Sequence, residues 1–161
     1  MRHGNINFAC MASIGARRRR RRNDGNAMYV SSGQRITPTA APRAVLQPLN
    51  PGLGDFPNFV SSGGVSSIVS PDQKTLLVLT SGHNQLNDEN GTMVSADSQE
   101  YVFIYDISAG TPVQKQVLKV PNTFVGIAFN PNGQAFYVGG GKDDNIHTFA
   151  LQGDGSCAET G

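Results

Sequence analysis

One pattern in this chain is written twice, and that repetition limits its fold more than any other feature. VSSIVSPDQKTLLVLTSG at residues 65–82, followed by YVFIYDIS from Tyr101, returns as VGIAFNPNGQAFYVGGGKDDNIHTFAL at residues 125–151. Ser70-Pro71-Asp72-Gln73 aligns with Asn130-Pro131-Asn132-Gly133 at an offset of 60 residues. Tyr101-Val102-Phe103-Ile104 aligns with Asn145-Ile146-His147-Thr148 at an offset of 44, so the first copy carries an insertion of 16 residues between Gly82 and Tyr101. A unit recurring at such a period is one supersecondary element, which buries its apolar face only against a neighbour.

Each copy has the same parts. An apolar strand at 67–69 or 127–129 runs into a Pro-Asp or Pro-Asn turn, where Pro presets φ and Asp, Asn or Gly accepts the next position. A second strand follows at 75–80 or 135–138, and a third at 101–107 or 145–151. A fourth, 113–120, is visible in the first copy alone. In the third strand Tyr101, Phe103, Tyr105 and Ile107 alternate with Val102 and Ile104, so both faces are apolar. A sheet wetted on one side would alternate apolar with polar; this pattern calls for a sheet covered on both. The fourth strand is broken by Gln114, Lys115, Gln116 and Lys119 and flanked by Pro112 and Pro121, as suits an outer edge.

These residues resemble YVTN-type β-propeller repeats, with Tyr137-Val138 at the position that names the motif. GQRITPTAAP and QPLNPGLGDFP, within residues 33–57, are similar to the lead-in of large bacterial proteins. In those, a propeller precedes a phosphoesterase domain of the alkaline phosphatase superfamily. The resemblance covers roughly residues 29–155. It implies an all-β fold, a partial β-propeller of one complete four-stranded blade plus most of a second, behind a disordered N-terminal tail. The expected organisation is an Arg-rich tail at 1–28, an extended Pro-rich lead-in at 29–60, a first blade at 61–124 and a partial second blade at 125–161. Ile36 or Val45-Leu46 is a candidate added strand. A propeller needs about four blades or more, so the chain is expected to be truncated. The expected partners are the remaining blades or a C-terminal domain of the parent. Blade faces carrying Phe103, Tyr105 and Phe149 are expected to be exposed.

Charge divides the chain. Arg17, Arg18, Arg19, Arg20, Arg21 and Arg22 are contiguous, whereas residues 25–161 hold six basic and eleven acidic side chains, a net of −5. The body therefore lacks the basic footprint of a nucleic-acid binder, and polyanion binding could reside only in the Arg run. The weakly apolar residues 6–16 precede that run, the reverse of a secretory signal. The relatives are implied to be exported, but no signal of that kind is recognisable. No run approaches the ~20 apolar residues of a membrane span.

No catalytic constellation emerges. No serine lies in GxSxG, and neither HxxxH nor CxxC occurs. Cys10 and Cys157 stand near opposite ends of the chain with nothing to demand a bridge. Gly139-Gly140-Gly141-Lys142 lacks P-loop spacing and reads as a tight turn. Residues 83–100 form a long polar loop, and Asn87, Asp88, Glu89 and Asn90 lack EF-hand spacing. His147 is expected to be packed. Loops equivalent by the repeat fall on one face, which makes His83, Asn84, Lys142, Asp143 and Asp144 the candidate binding residues. Neither cofactor nor metal is expected, and the phosphoesterase chemistry implied for the relatives belongs to a later domain. The expectation is a non-catalytic scaffold or binding module. The alternatives are a propeller-type hydrolase or lactonase fragment, and polyanion binding through the Arg run.

Overall fold

The computed structural model describes residues 46–82 and 84–161, together with two short strands, β1 (Met28–Tyr29) and β2 (Arg35–Ile36). Those two pair antiparallel, Met28 opposite Ile36, in a unit of their own that spans residues 1–44. Ile36 is thus engaged with Met28 rather than added to a larger sheet. The arginines of residues 17–22, the disorder expected of the tail, Cys10 and His83 lie outside the described residues.

The second unit, residues 45–161, holds two antiparallel four-stranded sheets. The first contains β3 (Gly64–Val69), β4 (Thr75–Thr80), β5 (Glu100–Asp106) and β6 (Val113–Val120), paired in chain order. The second contains β7 (Thr123–Phe129), β8 (Ala135–Gly140), β9 (Ile146–Leu151) and β10 (Cys157–Glu159), also in chain order. Among the described residues there is no helix. The fourth strand of the second repeat, not visible in the sequence, is therefore present. It is only three residues long, CAE, and carries no apolar alternation by which to see it.

Pairing register follows the repeat. Leu76 opposes Tyr105 and Val78 opposes Phe103 in the first sheet, while Phe136 opposes Phe149 and Val138 opposes His147 in the second. The same offsets hold in the turns. The Ile107 N–H donates to Lys74 O at 2.8 Å, and the Leu151 N–H donates to Gln134 O at 2.9 Å. At the first turn the Thr75 N–H donates to Ser70 Oγ and the Lys74 N–H to Asp72 Oδ1. At its counterpart the Ala135 N–H donates to Asn130 Oδ1 and the Gln134 N–H to Asn132 Oδ1. Different side chains thus close the same turn.

Two apolar layers result. Leu77, Leu79, Val102, Ile104 and Val120 of the first sheet pack against Phe136, Val138 and Phe149 of the second. On the other face of the first sheet, Tyr101, Phe103 and Tyr105 are covered by Leu49 and Phe59 of the lead-in. The lead-in is fastened there: the Ser61 N–H donates to Leu49 O at 2.9 Å, and Gln47 Nε2 donates to Pro112 O at 2.8 Å. The expectation that Phe103, Tyr105 and Phe149 are exposed is overturned, since all three are buried. The lead-in supplies the missing cover for the first two and the first sheet supplies it for the third. Each such ring removed from water contributes roughly 1.5–3 kcal/mol.

Candidate functional site

At one end of the sheets lie the loops that follow β4 and β8, where the candidate residues fall. Asn84 is buried. Its Nδ2 donates to Glu100 Oε2 at 2.8 Å and to Thr80 Oγ1 at 3.2 Å, while its Oδ1 accepts the Ser62 N–H at 2.7 Å. Thr80 Oγ1 also accepts the Tyr101 N–H at 2.8 Å. Thr123 Oγ1 donates to Thr80 O and Ser81 Oγ donates to Thr123 O, so the first strand of the second sheet is stitched to this knot. Buried polar groups require such partners, and Asn84 holds the junction of the two sheets together.

In the second repeat the equivalent loop is tighter. Asp144 adopts φ +53 and its N–H donates to Gly141 O at 3.3 Å, as expected of a tight turn. Lys142 and Asp144 are exposed, whereas Asp143 turns inward, its Oδ2 3.4 Å from His147 Nε2. Burial presses the Asp143 carboxyl upward, but the Asn145 N–H, the Asn122 side chain and the His147 ring outweigh it and hold it below the usual carboxylate range. His147 is buried as expected, and its Nδ1 lies 2.8 Å from Glu159 Oε1. The two carboxylates approach opposite nitrogens of one ring, so they cannot converge on a common ion. Among the described residues no group of three or more His, Cys, Asp or Glu side chains is placed to hold a metal.

The insertion has internal structure. Asn87 bridges Met93, Asp88 Oδ1 accepts the Asn90 and Thr92 N–H groups, and Leu86 is buried. Asp88 thereby closes its own turn, while Lys119 Nζ reaches Asp97 Oδ1 at 2.8 Å and anchors the end of the insertion to β6.

The opposite end of the sheets carries an open cleft of about 730 Å³, lined among others by Asp72, Tyr105, Asp106, Lys115 and Asp154. Asp72, Asp106 and Asp154 accept hydroxyl hydrogen bonds at 2.6–2.7 Å from Ser70, Ser108 and Ser156. Those bonds hold all three carboxyls below their usual range. Each carboxylate is thus occupied in closing its own turn. A smaller cavity of about 290 Å³ beside it is bounded by Leu77, Phe129, Phe136 and Cys157. Burial pushes the Cys157 thiol up, which suppresses the thiolate that a nucleophile needs.

Gln116 was visible in the sequence only as an edge-strand polar residue. Its Nε2 donates to Cys157 O and its Oε1 accepts the Cys157 N–H, both at 2.8 Å, so one side chain pairs with β10 as a strand would. No local signal could have revealed this, because the two residues lie 41 apart. The chain matches no protein-family model and no curated protein. No helix among the described residues is long and apolar enough to cross a membrane.

Proposed function

We propose that the chain is a non-catalytic scaffold or binding module of blade-like repeats, the N-terminal part of a β-propeller. The observation that carries this reading is the constancy of the repeat. Two four-stranded sheets share one register at fixed offsets, and one packs on the other through a continuous apolar layer. Polar residues at both ends of the sheets are engaged in closing turns and joining strands. That distribution suits a module whose work is done by surface and shape. The sequence resemblance extends the proposal to a parent protein in which further blades and a phosphoesterase domain follow; the chemistry would belong to that later domain.

The test is turnover by the purified chain on phosphate esters and lactones, with divalent metals and after EDTA. No turnover is expected under either condition. Metal-dependent hydrolysis that EDTA abolishes would overturn the non-catalytic reading. For the parent protein, in-frame sequence encoding further repeats beyond Gly161 is the expected finding at the source locus.

A further inference from the structure

By the repeat offsets, Leu76 and Val78 of β4 answer to Phe136 and Val138 of β8, and Tyr105 of β5 answers to Phe149 of β9. In the second sheet this side packs on the first sheet. In the first sheet the same side, with Tyr101 and Phe103, lies under Leu49 and Phe59 of the lead-in. The lead-in therefore stands where the next repeat has a whole sheet. It stands there without adding a strand. Asn50 Nδ2 donates to Pro57 O and the Gly52 N–H donates to Asn50 Oδ1, both at 2.7 Å. Leu49 O accepts the N–H and the hydroxyl of Ser61. These bonds close the segment on itself as a compact loop. Amide side chains tie it to the sheet: Gln47 Nε2 donates to Pro112 O and Gln114 Nε2 donates to Asn50 O, both at exposed positions. Gln47, Pro48, Asp55 and Asn58 face the solvent, so the outer surface of the loop offers a blade little apolar area.

We propose, on the reading of the chain as propeller repeats, that residues 46–61 are a displaceable strap: they cover the side of the first sheet on which a blade docks, and strap and blade exclude each other there. That a blade fits this side follows from the second repeat, whose equivalent side holds the first sheet. In a closed ring every blade is flanked on both sides, so the blade that closes the ring takes the face of Tyr101, Phe103 and Tyr105. Until it does, the strap keeps the three rings from water, where a bare aromatic face would invite association. A loop closed by its own hydrogen bonds leaves the sheet without breaking a ladder, as an added strand could not.

The test uses the full chain in two experiments. Ser61 is buried, and its N–H bond to Leu49 O is lost when the strap lifts. In hydrogen exchange of the unmodified chain this amide should exchange about tenfold faster or more than those of β5, which require the sheet itself to open. Leu49→Ser combined with Phe59→Ser should release the strap. The variant should keep its β-sheet circular dichroism, bind a hydrophobic dye, and associate in light scattering as concentration rises, the blade surface of another copy serving as the probe of the uncovered face. The unmodified chain should do neither. Exchange of Ser61 in step with β5 would overturn the proposal, by making the lead-in integral to the sheet, and that measurement decides even where the variant fails to fold. A folded variant that binds no dye or stays monomeric would overturn it too, as would equal association of the unmodified chain. Turnover that contradicted the non-catalytic reading would leave these results unchanged.

Discussion

His147 Nδ1 lies 2.8 Å from Glu159 Oε1, so the histidine near the start of β9 clasps the last strand of the second sheet. β10 has three residues and pairs with β9 alone. A strand that short has few ladder bonds, and each side-chain tie contributes a large part of its hold. Glu159→Ala removes the acceptor and leaves a buried ring nitrogen without it. The expected cost is about 1–3 kcal/mol in urea unfolding. Hydrogen exchange should show the earliest loss of protection at Ala158 and Glu159, with β8 unaffected.

Gln116 makes the second tie, from the other sheet. Gln116→Ala removes two hydrogen bonds at once and leaves the Cys157 N–H and C=O to find water. A loss of about 1–3 kcal/mol is expected. Combined with Glu159→Ala the losses should be non-additive, because both act on one strand of three residues. An additive double mutant in the same urea titration would mean that β10 is not held as a unit.

Asn84 is the candidate site residue whose placement says most about its role. Its amide joins Glu100, Thr80 and the Ser62 backbone in a buried knot. Asn84→Ala should therefore lower stability by roughly 1–3 kcal/mol, measured by chemical denaturation. If stability is unchanged, the knot does not depend on this amide.

Much of the fold was legible because a repeat reports itself twice. The turns at Pro71 and Pro131, the apolar third strands and the polar edge strand β6 each carry a local signal, and offsets of 60 and 44 reappear in the hydrogen bonds. The strand β10 was not legible, because its hold comes from Gln116, His147 and Glu159 rather than from its own composition. Burial of Phe103 and Tyr105 was also missed: Leu49 and Phe59 lie in a Pro-rich segment whose pattern gives no sign of a face to cover. At the loops, sequence could place Asn84 and Asp143 at one end of the repeats. It could not show that both side chains turn into the protein.

Tyr101 provides a pH signature. Burial, with the charges of Asp97 and Glu100, pushes its phenol up to about 12. Its hydroxyl donates to Asp97 O at 2.8 Å. Between the ordinary value of 10 and about 12 the unfolded chain has lost this proton while the folded chain keeps it. Stability from this group is thus complete below pH 10 and declines as pH rises towards 12. Other groups titrate there too, so the comparison is with Tyr101→Phe. That variant should lose about 1 kcal/mol at neutral pH through the missing hydrogen bond, and show a shallower decline in alkaline urea titrations.

Gln73 and Gly133 occupy the same position in two turns with the same hydrogen bonds, and both are left-handed, at φ 60 and φ 73. The Gln73 N–H donates to Ser70 O at 2.9 Å and the Gly133 N–H to Asn130 O at 3.0 Å. A residue with a Cβ is strained in this region by roughly 1–2 kcal/mol, whereas glycine is not, though it loses more freedom on folding. The second repeat thus carries the residue its backbone favours and the first does not. Gln73→Gly should stabilise the chain by up to ~1 kcal/mol, and Gly133→Ala should destabilise it by about 1 kcal/mol. Space does not decide the second case, since a Cβ on Gly133 would meet Pro71 Cδ at an ordinary 3.5 Å. The two shifts, read from paired urea titrations, should have opposite signs. Shifts of the same sign would mean that the two turns are not equivalent in energy, despite their shared hydrogen bonds.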